Sequence, residues 1–207
     1  MSTHKFRVRN AARAILGAAM LSAAFAAAAA DGTLLHTMFQ DHAVLQREQP
    51  IRVFGRADAG EQVKISFAGK RATARAGADG NWSATLPAMK AGGPYTLTAS
   101  VGTATQNVDD VMVGDVWLCS GQSNMELQVW RSLDARAEIS GANNDRIRLL
   151  TVPQNGAVTP QATFATPVKW TTTTPDSIRD FSAACYYFAR ELQKTVDVPM
   201  GLINAAW

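Results

Sequence analysis

The chain is short of the residue types that metal chemistry needs. It has two cysteines, Cys119 and Cys185, and three histidines, His4, His36 and His42. Neither cysteine shows metal-ligand spacing and the histidines form no cluster, so no metal or other cofactor is expected. No histidine follows position 42, which narrows where a general base can come from. Positive charge is also scarce outside one region. Lys5, Arg7, Arg9 and Arg13 lie in the first 30 residues, which contain no acid, and the remainder holds 16 basic against 17 acidic residues. The pI near 9.1 therefore reflects the amino terminus, and no basic face suited to nucleic acid is expected. Long apolar runs are lacking too. The stretch from Ala14 to about Ala27 falls short of the roughly 20 residues of a spanning helix, which argues against a stable membrane anchor.

That amino-terminal stretch reads instead as an export signal over residues 1–30. A basic region from Lys5 to Arg13 precedes the apolar run, and Ala28 and Ala30 fit an A-x-A cleavage pattern with the cut after Ala30. The expected destination is the periplasm or the cell exterior. Cys119 falls inside an apolar strand run and Cys185 on the apolar face of a helix. We expect both to be free, buried and packed as small hydrophobes rather than bridged.

With 47% apolar and 18% charged residues the chain has the composition of a folded globular protein. Residues 31–110 are expected to form an all-β domain, a small β-sandwich. Ile51-Arg52-Val53-Phe54 and Val63-Lys64-Ile65-Ser66-Phe67 alternate with the period of half-buried strands. Asp79-Gly80-Asn81 before Trp82 predicts a hairpin turn, and Tyr95 to Ala99 predicts a further strand. The aromatics Phe67, Trp82 and Tyr95 are expected in the core rather than as sugar-stacking platforms.

From residue 111 the pattern changes. Val111 to Cys119 predicts a strand, Gln122 to Arg131 a helix, and Arg146 to Val152 a second strand. Gln154 to Pro175 has no period and is expected as a surface loop carrying Trp170. Phe181 to Thr195 predicts a helix with Phe181, Ala184, Cys185, Phe188 and Leu192 on one apolar stripe, capped by Asp180 or Ser182. Val198 to Asn204 predicts a third strand. Strand, helix, strand, helix, strand is the pattern of a parallel α/β sheet. As the last strand, Val198 to Asn204 is expected at an unpaired apolar edge prone to aggregation, so the chain reads as truncated.

The stretch from Gly114 to Glu126 carries the chemistry. An apolar strand breaks at Gly121, and Gln122-Ser123-Asn124 follows before helix-compatible residues resume. Ser123 is thus expected between the carboxyl end of a strand and the amino end of a helix, where nucleophiles are mounted and backbone N–H groups meet an oxyanion. Gly121 permits the turn, and Gln122 offers a side-chain amide. By spacing alone, Ser123 reads more readily as a helix cap. Asp115 and Glu126 beside it read as local structural charges, and His42 as a structural residue upstream.

Trp117-Leu118-Cys119-Ser120-Gly121-Gln122-Ser123-Asn124-Met125-Glu126 resembles the nucleophile block of the sialate O-acetylesterase family, a branch of the SGNH (GDSL-like) hydrolases. The resemblance extends to Phe39–Arg47, Asp79–Trp82, Ala91–Tyr95 and Gly201–Trp207. It implies an α/β fold, with the β-sandwich followed by an incomplete SGNH-type doubly wound sheet over residues 111–207. It also implies hydrolysis of an acetyl ester on a sugar, with Ser123 as nucleophile and Gly121, Gln122 and Asn124 as turn and oxyanion support. In the family a second oxyanion donor follows the Asn-x-x-Trp segment, here Asn204–Trp207, and the triad His and Asp lie near the carboxyl end. Neither is within these 207 residues, so the chain itself is expected to be nearly inert. The competing expectation is a secreted glycan-binding β-sandwich carrying a non-catalytic hydrolase remnant.

Overall fold

Residues 33–207 are described by the computed structural model; the expected export signal at 1–30 lies outside them. Seven strands come first: β1 (Val44–Gln46), β2 (Ile51–Arg56), β3 (Gln62–Phe67), β4 (Lys70–Arg75), β5 (Asn81–Leu86), β6 (Gly92–Val101) and β7 (Ala104–Gly121). Then follow α1 (Ser123–Glu126), a 3-10 turn at Val129–Arg131, α2 (Ala135–Gly141), β8 (Asn144–Thr151), β9 (Thr171–Thr173), α3 (Pro175–Arg179), α4 (Ala183–Gln193) and β10 (Met200–Ala206).

Period-two alternation builds the β-rich half. On β2 and β5, Val53, Trp82, Ala84 and Leu86 point inward and join Val63, Ile65, Phe67, Leu97 and Val111 in one core. Phe67 and Trp82 are buried there, and Tyr95 packs edge-on against Phe67. The Asp79-Gly80-Asn81 turn forms, with Gly80 at φ +78 and the Asp79 carboxylate accepting the Asn81 N–H at 3.0 Å. It does not make the expected hairpin. The strand that follows it, β5, pairs antiparallel with β2, whereas β4 pairs with β3. The inward apolar set of β5 is satisfied by the shared core, and that face can be presented from a second sheet as well as from the first.

The large sheet runs β4-β3-β6-β7-β10-β8-β9, with β1 added to β7. Antiparallel pairing gives way to parallel pairing along β7: residues 104–113 pair with β6 and residues 115–121 with β10. One strand therefore runs through the junction at residues 110 and 111. Gly114 sits at the changeover, where a Cβ would lie 2.0 Å from the Pro199 carbonyl oxygen.

The expected edge strand is central. β10 is paired on both sides, by β7 and by β8, and Met200 and Leu202 are fully buried. Position in the chain misled here; a short apolar run without polar alternation is what an interior parallel strand requires. α4 is shorter than expected, with Ser182 capping Cys185 N–H at 3.2 Å. Its buried face is also rotated. Ala183, Cys185, Tyr186 and Ala189 face inward, while Ala184 and Phe188 are exposed, Phe188 meeting Trp117 edge-on at the rim. The irregular stretch after β8 ends in a side chain that is not on the surface: Trp170 is 2% exposed and donates to the Met38 carbonyl at 3.0 Å. α3 escaped sequence reasoning, although Thr174-Pro175-Asp176-Ser177 carries a capping box and a proline at the first helical turn.

Candidate active site

Ser123 sits where the carboxyl ends of the parallel strands β7, β10 and β8 gather. β7 stops at Gly121, whose φ of +148 favours glycine, and a Cβ there would lie 2.8 Å from Met125 Cγ. Gln122 follows in extended conformation, and its carbonyl accepts the N–H groups of Met125 at 2.8 Å and Glu126 at 3.0 Å. The expected ten-residue helix is broken. α1 is a single turn that ends at Leu127, and the 3-10 turn comes after it. Ser123 is the first residue of α1, not its cap; the cap position belongs to Gln122 and no side chain caps the helix. The Ser123 side chain is exposed, as are Gln122 and Asn124. The first N–H groups of a helix have no partner within it, so those of Ser123 and Asn124 are placed to meet an anionic oxygen.

Two flanks hold this turn. On one, Asn204–Trp207 runs beside it in register: Asn204 opposite Cys119, Ala205 opposite Ser120 and Ala206 opposite Gly121. Trp207 N–H donates to the Gly121 carbonyl at 2.8 Å, and Ser120 Oγ donates to the Ala205 carbonyl at 3.3 Å. On the other flank, Ala183 N–H donates to the Leu127 carbonyl at 2.8 Å, and Val129 N–H to the Phe181 carbonyl at 3.0 Å. These bonds clip the chain after α1 to the start of α4. A disulfide completes the clip. Cys119 and Cys185 are bridged, with Cα atoms 5.9 Å apart, which corrects the expectation of two free thiols. Both residues are apolar packing positions, and the packing that buries them sets strand and helix sulfurs against each other.

The charged neighbours each have a partner away from the Ser123 hydroxyl. Asp115 receives Arg47 Nε at 2.7 Å and Nη2 at 3.2 Å, and Glu126 receives Gln154 Nε2 at 3.0 Å. His42 is remote. Its Nδ1 lies 2.6 Å from Asp110 Oδ2, and Asp110 precedes Gly121 by about 35 Å of strand at roughly 3.3 Å per residue. The same carboxylate accepts Arg148 Nη1 at 2.7 Å and Nη2 at 3.1 Å. Those Arg148 bonds, against the opposing effect of burial, hold the Asp110 carboxyl below its ordinary range, and His42 adds to the effect. His36 is also engaged elsewhere, its Nε2 2.9 Å from the Ala162 carbonyl. Neither histidine of the described residues stands at Ser123.

No family model matches the chain. It is 32% identical over 185 residues to the sialate O-acetylesterase of Rattus norvegicus, covering 81% of this chain and 34% of that protein. To the human sialate O-acetylesterase it is 35% identical over 137 residues, covering 61% of this chain and 26% of that protein. The structure superposes on that of a carbohydrate acetylesterase from Xanthomonas citri with a TM-score of 0.81 at 40% identity, covering 84% of this chain and 40% of that one. The chain thus spans about a third of the length of the rat protein and about a quarter of the human one. In sequence and in its mixed α/β fold, it belongs with the sialate O-acetylesterase-like proteins.

Proposed function

We propose that the whole protein is a carbohydrate O-acetylesterase and that Ser123 is its nucleophile. The observation that carries this reading is the exposed Ser123 on the first turn of α1, at the carboxyl end of β7. Ser123 Oγ attacks the carbonyl carbon of an acetyl ester on a sugar. The developing oxyanion is met by the Ser123 and Asn124 N–H groups, the C–O bond to the sugar breaks, and the sugar leaves as an alcohol. Water then adds to the acetyl-enzyme and releases acetate. Gly121 and Gln122 hold the turn that presents the hydroxyl. The base that takes the Ser123 proton, and the acid that orients it, are supplied by sequence corresponding to the part of the relatives that the match does not span. On the same reading residues 31–110 form a β-sandwich and residues 111–207 belong to an SGNH-type sheet. The protein is exported; the disulfide supports this, because such bridges persist in oxidising compartments.

The competing reading, a glycan-binding β-sandwich with a non-catalytic remnant, relied on exposure of Trp82, Tyr95 or Phe67; Trp82 and Phe67 are buried, and Tyr95 is half-buried against Phe67. The test is hydrolysis of an aryl acetate and of an acetylated sugar by the full-length protein. Ser123→Ala is expected to lower kcat by about 10⁴-fold or more, with KM little changed. An unchanged rate in that variant would remove Ser123 from the mechanism.

A further inference from the structure

A cleft lies on the β-rich half, over the outward face of β2 and β5. It encloses about 610 Å³, within the range of small-ligand sites. Its lining includes Arg52, Arg56 and Arg75 and, among the described residues, no Asp or Glu. Alternation puts these groups here: the odd-numbered residues of β2 fill the core, so Arg52, Phe54 and Arg56 face out.

Each guanidinium is held by a neutral acceptor. Arg52 Nε donates to Ser83 Oγ at 2.8 Å, Arg56 Nη2 to the Asp79 carbonyl at 2.9 Å, and Arg75 Nη1 to the Gly60 carbonyl at 2.5 Å. Asp79, whose backbone carbonyl accepts from Arg56, turns its carboxylate to Asn81, at 3.0 Å from the backbone N–H and 2.6 Å from Nδ2. Among the described residues no carboxylate lies within 4.0 Å of any of the three arginine side chains. Arg52 also lies over the Phe54 ring, 5.8 Å from its centroid, with its Nη edge unused by the described residues. Guanidinium edges of this kind take carboxylates in two-point fashion. The Ser83 and Asn81 side chains in the cleft suit the hydroxyls of a sugar.

We infer that this cleft is a binding site for a carboxylate-bearing saccharide, separate from Ser123. The amino-terminal segment of the chain is a poor occupant, since Lys5, Arg7, Arg9 and Arg13 would meet like charge. A nucleic acid is disfavoured by the near balance of charge over the rest of the chain. The site would hold an acidic glycan on the β-rich half without taking part in bond breaking.

Calorimetric titration with an oligogalacturonate and with a sialyl-oligosaccharide tests this, alongside the methyl-esterified oligogalacturonate, a neutral xylo-oligosaccharide and inorganic phosphate. At least one acidic saccharide is expected to bind, more weakly as salt is raised, and neither neutral one should match it. Arg52→Gln is expected to weaken binding about tenfold or more, and Arg56→Gln likewise, with melting temperatures unchanged because both side chains are exposed. Ser123→Ala is expected to bind as the parent does, so this idea and the esterase reading fail separately. Equal binding of the neutral sugars, an unaffected Arg52→Gln, displacement by phosphate at equal affinity, or no binding of either acid sugar would each overturn it.

Discussion

Asp110 accepts hydrogen bonds from Arg148 on β8 and faces His42 on the turn before β1. Arg148 is only 1% exposed, so removing its counter-charge strands a buried cation. Asp110→Asn is therefore expected to cost about 3 kcal/mol near neutral pH. The effect is pH-dependent, and its sign follows from the direction of the shift. The folded carboxyl lies below its ordinary value of 3.8, so its contribution is complete above that value and lost as pH falls through the folded one. Urea unfolding at pH 7 and pH 3 should show the gap between parent and Asp110→Asn narrowing in acid, and a gap independent of pH would contradict it. Nothing local in the sequence marked this cluster, because its members are 68 and 38 positions from Asp110. The turn at Ser123 was legible for the opposite reason. Strand, glycine, serine and helix start are adjacent, and the turn geometry is a property of neighbours.

Between α4 and the end of β7 the disulfide closes a loop of 66 residues in sequence separation. It sits four positions before Ser123 and is expected to contribute about 2–4 kcal/mol. Cys119→Ser, Cys185→Ser and reduction of the parent should lower the melting temperature by similar amounts. A melting curve indifferent to reductant would show that packing alone holds strand to helix. Helical periodicity found α4 but placed its buried face about one position away, because Ala184 and Phe188 fit an apolar stripe yet lie at the rim. Small residues decided the true face: Ala183 and Ala189 let the helix approach the sheet, and no hydrophobicity pattern ranks them above phenylalanine. The place of β10 was illegible as well, since strand order within a sheet depends on pairings distant in sequence.

At the scale of the molecule, the apolar strands of the parallel region lie inside the sheet, which removes the expected aggregation-prone edge at Val198 to Asn204. Hydrogen exchange should find the Met200–Ala206 amides among the slowest and those of β9, at the sheet edge, much faster. Equal exchange of the two would mean that β10 opens as an edge does. The change from alternating to continuous apolar residues after residue 110 does not coincide with the change in pairing, which comes at Gly114, antiparallel before it and parallel after it. It did not mark a break in the chain's regular structure. β7 carries both pairings on one continuous backbone, about 60 Å long at roughly 3.3 Å per residue. The two halves are thus unsuited to exchange as interchangeable modules. A foreign β-rich half grafted at residue 110 would have to deliver a strand already in register with β10, with a glycine where β7 passes Pro199. Without both it would carry Ser123 out of line with the strand end that presents it.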